Sequence, residues 1–231
     1  MAYTTIDNPT SFFNTKLTTG TGNSQAVTGL GFQPDWIWGK RRDSTGHNSL
    51  FDSVRGITKG LESNQNGAEF TSTDYYSSFD SDGFTIAAGA SGAGNGSSQT
   101  AVQWCWKAGD STSSNGDGTI TSTVSVNSTS GFSIVSYAGT GVADKTVGHG
   151  LGATPAMIIV KNRSITEEWR VWHQDLSGST YKLRLNGTDA QDSSATVFNG
   201  QSSTTFTVGT DPSVNGSGNN IIAYCFKGIQ G

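Results

Sequence analysis

Along the chain, apolar side chains alternate with polar ones or gather in runs of four to six, set apart by clusters of Gly, Asn, Asp and Ser. No 3.6-residue period persists over ten residues, so the pattern predicts strands rather than helices. Ala156 to Val160 is apolar throughout, as suits a central strand buried on both faces. Val102, Trp104 and Trp106 fall on one face of a strand and Ala101, Gln103 and Cys105 on the other. The aromatic face is the expected core side, and Ile222, Tyr224 and Phe226 repeat it later in the chain. Phe51 to Leu61 is the one stretch where a short helix or 3₁₀ turn competes.

The same landmarks occur twice, about 120 residues apart, the length of one small domain. Phe13 and Thr18-Thr19-Gly20-Thr21-Gly22 align with Phe132 and Tyr137-Ala138-Gly139-Thr140-Gly141. Gly29-Leu30-Gly31-Phe32-Gln33-Pro34 aligns with Gly150-Leu151-Gly152-Ala153-Thr154-Pro155, and directly after it Trp36 to Arg42 matches Met157 to Arg163 without a gap. Phe84-Thr85-Ile86 matches Phe206-Thr207-Val208, and the copies close on Trp104-Cys105-Trp106-Lys107 and Tyr224-Cys225-Phe226-Lys227. A tandem duplication explains that order. Turn signals every 8–12 residues predict an all-β chain of two similar antiparallel β-sandwich-like domains. Their expected bounds are 1–109 and 118–231, with a flexible linker at 110–117 that has no apolar side chain.

Composition narrows the function classes. The 231 residues are 33% hydrophobic and 14% charged, with 31 glycines, yet six Trp, six Tyr and eleven Phe leave material for cores. A formal net charge of −4 disfavours a nucleic-acid surface. No apolar run reaches the roughly 18 residues of a membrane span, and Met1 to Thr10 has no signal-peptide pattern, so synthesis in the cytoplasm without membrane insertion is expected. Two cysteines do not make a disulfide scaffold; Cys105 and Cys225 occupy equivalent positions and are expected as free, buried thiols.

Candidate chemistry is sparse. His47, His149 and His173 are not spaced as metal ligands, and His149 reads as a solvated loop residue. Asp80-Ser81-Asp82-Gly83 resembles the start of a calcium loop but lacks its closing glutamate, and reads as a turn. Glu167 and Glu168 are adjacent, so on a strand they would point to opposite faces and flank one glycosidic bond poorly. Gly92 to Gly96 reads as a hairpin loop rather than a phosphate cradle. No catalytic, cofactor or metal site is expected. Trp36, Trp104 and Trp106 align with apolar positions of the other copy and read as core. Trp169, Tyr75 and Tyr76 lie in polar stretches and are the candidate exposed contacts.

Gly31 to Arg42, Leu50-Phe51-Asp52-Ser53-Val54-Arg55-Gly56, Phe79 to Phe84 and Trp104 to Gly109 resemble a domain repeated in virion proteins of marine bacteriophages, often described as tail-fibre or structural proteins. The resemblance implies a non-enzymatic protein exposed on the phage particle, of tail-fibre or adhesion type. The alternatives are a capsid decoration protein or a carbohydrate-binding module for host glycan. It also implies contact with other virion proteins, a homo-oligomer that is a trimer if part of a fibre, and host surface polysaccharide as a ligand. Asp52 and Arg55 belong to the motif and are candidate contacts, although the second copy loses that string at Trp172 to Gly178.

Overall fold

The structure is a computed structural model that describes residue 6 and residues 8–229; six of the ten residues of the Met1 to Thr10 segment read for a leader lie outside them. It divides into two compact units: residues 6–64 with 69–110, and residues 65–68 with 111 onward. Both are built from antiparallel sheets, and among the described residues no helix is long and apolar enough to cross a membrane.

In the first unit the strands are β1 (Phe13–Thr19), β2 (Gln25–Thr28), β3 (Trp36–Arg41), β4 (Asn48–Asp52), β5 (Lys59–Glu62), β6 (Phe70–Thr71), β7 (Tyr76–Asp80), β8 (Gly83–Ile86) and β9 (Thr100–Trp106). They form a six-stranded sheet in the order β1-β9-β3-β4-β5-β6 and a three-stranded sheet β2-β8-β7. Between them lies a core of Ile37, Phe51 and Cys105 from the large sheet against Val27, Tyr76, Phe84 and Ile86 from the small one.

In the second unit the strands are β10 (Ser113–Asn115), β11 (Ser122–Asn127), β12 (Phe132–Ala138), β13 (Lys145–Gly148), β14 (Pro155–Asn162), β15 (Arg170–His173), β16 (Tyr181–Arg184), β17 (Asp192–Ser193), β18 (Phe198–Gln201), β19 (Thr205–Val208) and β20 (Asn220–Lys227). The large sheet runs β10-β11-β12-β20-β14-β15-β16-β17 and the small one β13-β19-β18. From β12 onward this order corresponds strand for strand to that of the first unit; β10 and β11 are additions on the edge next to β12. Val135, Ile158, Val160, Ala223 and Cys225 pack against Val147, Phe198, Phe206 and Val208.

The shared Thr-Gly motif has a physical cause in a buried asparagine that each unit uses to close its sandwich. Asn95 donates to the carbonyls of Asn23 (2.7 Å) and Ala87 (2.8 Å) and accepts from the Thr21 N–H. Asn215 donates to Val142 (2.8 Å) and Gly209 (2.7 Å) and accepts from Thr140. Gly22 and Gly141, both at positive φ, donate their N–H to the asparagine carbonyls. A Cβ on Gly20 or Gly139 would sit 2.2 or 2.3 Å from a carbonyl oxygen of the facing loop, so only glycine fits there.

Four local expectations need correction. Ser113–Asn115, read as linker, is strand β10 paired with β11, because backbone pairing needs no apolar side chain. Phe51 to Leu61 holds the end of β4, turns and the start of β5, with no helix. Gly92 to Gly96 is no hairpin loop: the strands on either side, β8 and β9, belong to different sheets, and the loop carries a 3₁₀ turn and Asn95. On β9 the buried face is Ala101, Gln103 and Cys105, while Val102, Trp104 and Trp106 are half-buried. The small sheet already supplies bulky core rings, so β9 meets it with the small Ala101 and Cys105, and Gln103 between them donates to the Thr18 hydroxyl and the Ala93 carbonyl. Asp80-Ser81-Asp82-Gly83 is a turn, from β7 to β8, and the Asp82 carboxylate accepts from the N–H groups of Gly29 and Gly31.

Candidate functional site, an aromatic sheet face on the first unit

Side chains alternate along a strand, so the residues of β1, β3 and β9 that point away from the core share the opposite face of the large sheet. Register aligns them in rows: Phe13 beside Trp106 beside Trp36, then Thr15 beside Trp104 beside Trp38. The rings are in contact, with centroids 4.8 Å apart for Phe13 and Trp106, 4.5 Å for Trp36 and Trp106, 5.6 Å for Trp36 and Trp38, and 6.5 Å for Trp38 and Trp104. Trp36 is buried, whereas Trp38, Trp104 and Trp106 are half-buried and line an open recess of about 320 Å³ that is almost wholly apolar. Rings held in mutual contact on a sheet form a pre-ordered stacking surface that loses little entropy on contact.

A second recess of about 240 Å³ in the same unit is lined by Arg41, Gly46, His47, Tyr75, Ser91 and Gly92. Arg41 Nε is 3.0 Å from Asp43, and this hydrogen bond, with one from the Thr100 N–H, holds the Asp43 carboxyl below its usual range. That neutralises much of the cationic character of this recess.

The structure disperses the residues singled out from the sequence. Tyr75 is half-buried, stacked on Phe51 at 5.1 Å, and reaches the second recess. Tyr76, expected to be exposed, is fully buried against Phe51 and Phe84, and burial pushes its hydroxyl far above its usual range. Trp169, also expected on the surface, is buried with its indole N–H donated to the Gln65 carbonyl. Local polarity misleads at both because the polar neighbours turn outward while the ring turns in.

Asp52 and Arg55 are structural rather than exposed contacts. Arg55 Nε donates to Asp52 at 2.5 Å, its Nη1 to the Lys59 carbonyl and to Glu69, and its Nη2 to the Leu50 carbonyl. Both side chains are fully buried, so the guanidinium ties the turn after β4 to β5. His149, read as solvated, is buried: Nδ1 accepts from the Leu151 N–H, Nε2 lies 3.3 Å from the Ser202 carbonyl, and burial lowers its pKa. Lys161 is buried as well and donates to the carbonyls of Asn66 and Asn162; burial lowers its pKa to about 8. Cys105 and Cys225 are free and buried, and burial pushes both thiols up, out of the reactive range.

Among the described residues no three His, Cys, Asp or Glu side chains converge as metal ligands. Sequence reasoning missed the Trp38, Trp104 and Trp106 cluster as a surface. The signal available was the alternation itself, which places these three on one side and Ile37 and Cys105 on the other.

No curated protein and no solved structure matches the chain. One family model matches residues 8–231, across both units, and the chain therefore belongs to the family described as Domain of unknown function (DUF7483).

Proposed function

We propose that the chain is a non-enzymatic adhesion component of a bacteriophage particle, exposed on the virion, whose first unit binds saccharide of the host surface by stacking on the Trp38, Trp104 and Trp106 recess. The observation that carries the binding part is the recess itself. Sugar rings present C–H faces that pack on aromatic planes, and indole adds an N–H donor at the edge. An apolar recess with three rings suits a neutral pyranose better than a charged group. Support for the virion placement is the motif resemblance of the first copy. On a particle, many weak stacking sites acting together gain about 10²–10⁴ in avidity where geometry permits.

Titrating the chain with purified host surface polysaccharide, read by tryptophan fluorescence and calorimetry, tests the binding part. Saturable binding that Trp104→Ala removes is expected. Mass spectrometry of purified particles tests the placement, and absence of the chain there would overturn it.

A further inference from the structure

We infer that the free edge of β1 is a self-association surface, at which two copies of this chain pair antiparallel and join their six-stranded sheets into one continuous sheet. The comparison of the units locates it. In the second unit β11 covers the outer edge of β12, with Asn127 opposite Phe132 and Ser125 opposite Ile134. In the first unit β1 is the terminal strand of its sheet, and among the described residues no strand pairs with its outer edge.

Hydrogen-bond phase shows what that edge offers. Gly20 N–H bonds to Gln99 and Lys107 N–H to Phe12, so the even-numbered residues of β1 exchange bonds with β9. Antiparallel ladders alternate, so Phe13, Thr15, Leu17 and Thr19 turn their N–H and C=O groups outward. These are the residues whose side chains lie on the aromatic face, and Leu17 and Phe13 are 65% and 38% exposed. Edge strands are ordinarily blunted by charge. Here the cation of the strand, Lys16, is turned to the other face and bonded to the Gly29 carbonyl at 2.7 Å. The outward row carries no charge.

The sequence of β1 selects a second copy as the occupant. With the two-fold axis at Thr15, Phe13 of each chain lies opposite the partner's Leu17, and the threonines face each other. Both large exposed apolar side chains of the strand are then paired, an aromatic with an aliphatic, the kind of cross-strand pair that favours a sheet. All partners in this register are odd-numbered, so the outward groups meet in phase. The Thr15 N–H is held by Asn14 Oδ1 at 2.8 Å, and pairing exchanges that local bond for one to the partner's Thr15 carbonyl. Phe13 already touches Trp106, so the aromatic surface would run on across the axis.

Sedimentation equilibrium of the full chain over micromolar to hundreds of micromolar concentration tests this. A reversible monomer–dimer equilibrium is expected, with Leu17→Lys weakening it about tenfold or more while the melting temperature is unchanged, since Leu17 is exposed. Trp104→Ala should leave the dimer as it is. A chain that stays monomeric throughout, or a dimer that Leu17→Lys does not weaken, overturns the inference.

Discussion

The side of each large sheet turned away from its core is where the two units differ most. In the first unit it carries Trp38, Trp104 and Trp106, half-buried around an open recess. At the corresponding positions of the second unit, Ile159 and Tyr224 are buried, and only Phe226, aligned with Trp106, is half-buried. The inner sides are alike: Cys105 and Cys225, Phe84 and Phe206, Asn95 and Asn215 hold equivalent places in the two cores. A sandwich keeps its fold through the inner side and its closing loops, which leaves the outer side open to change. Under the proposed function, the first unit is the contact module and the second a scaffold.

Breaking what only the first unit has should produce the largest effect. Arg55→Ala leaves Asp52 buried without its guanidinium, and the expected loss for the first unit is about 3–5 kcal/mol. Denaturant unfolding should show this as an early transition for that unit, with the later one unmoved. Equal losses in both transitions would contradict the assignment of this cluster to the first unit.

Breaking what both units share should have similar effects in each. Asn95→Ala and Asn215→Ala each orphan buried backbone groups, at about 1–3 kcal/mol per group. Each variant is expected to destabilise its own unit by a comparable amount, read from the same two transitions. A large loss for one and none for the other would mean that the closing loops are not equivalent.

A smaller, pH-dependent difference should come from His149, whose counterpart region around Thr28 has no histidine. Burial lowers its pKa in the folded unit, so the folded state binds fewer protons than the unfolded chain. Its contribution is complete above the unfolded value of about 6.5 and is lost as pH falls through that value toward the folded one. The midpoint of the second unit should drop between neutral pH and pH ~5 by more in the native chain than in His149→Gln. Identical slopes would show that the imidazole is not buried in solution.

The strand grammar was legible because alternation and turn residues are local properties, and the correspondence of Gly20 with Gly139 or Cys105 with Cys225 could be seen before any coordinates. Which face of β9 is buried was not. Alternation tells which residues share a side, but the covering layer comes from β2, β7 and β8, elsewhere in the chain, and it buries the Ala101, Gln103 and Cys105 side of β9. The same non-locality hid Tyr76 and Trp169 in cores; Asp52 and Arg55, candidate contacts from the motif, instead pair with each other three residues apart and are buried. Asn95 and Asn215 were invisible in a chain so rich in Asn and Gly, since their role lies in hydrogen bonds to residues some 70 positions away.

The aromatic recess is the central binding surface of the proposed function, and the binding of host surface polysaccharide by paired variants tests it most directly. The native chain should show saturable binding; Trp38→Ala and Trp104→Ala should each weaken it by about tenfold or more while unfolding stays intact, and His173→Ala, in the other unit, should leave it unchanged. Binding that survives both tryptophan substitutions, or no binding by the native chain, would contradict it.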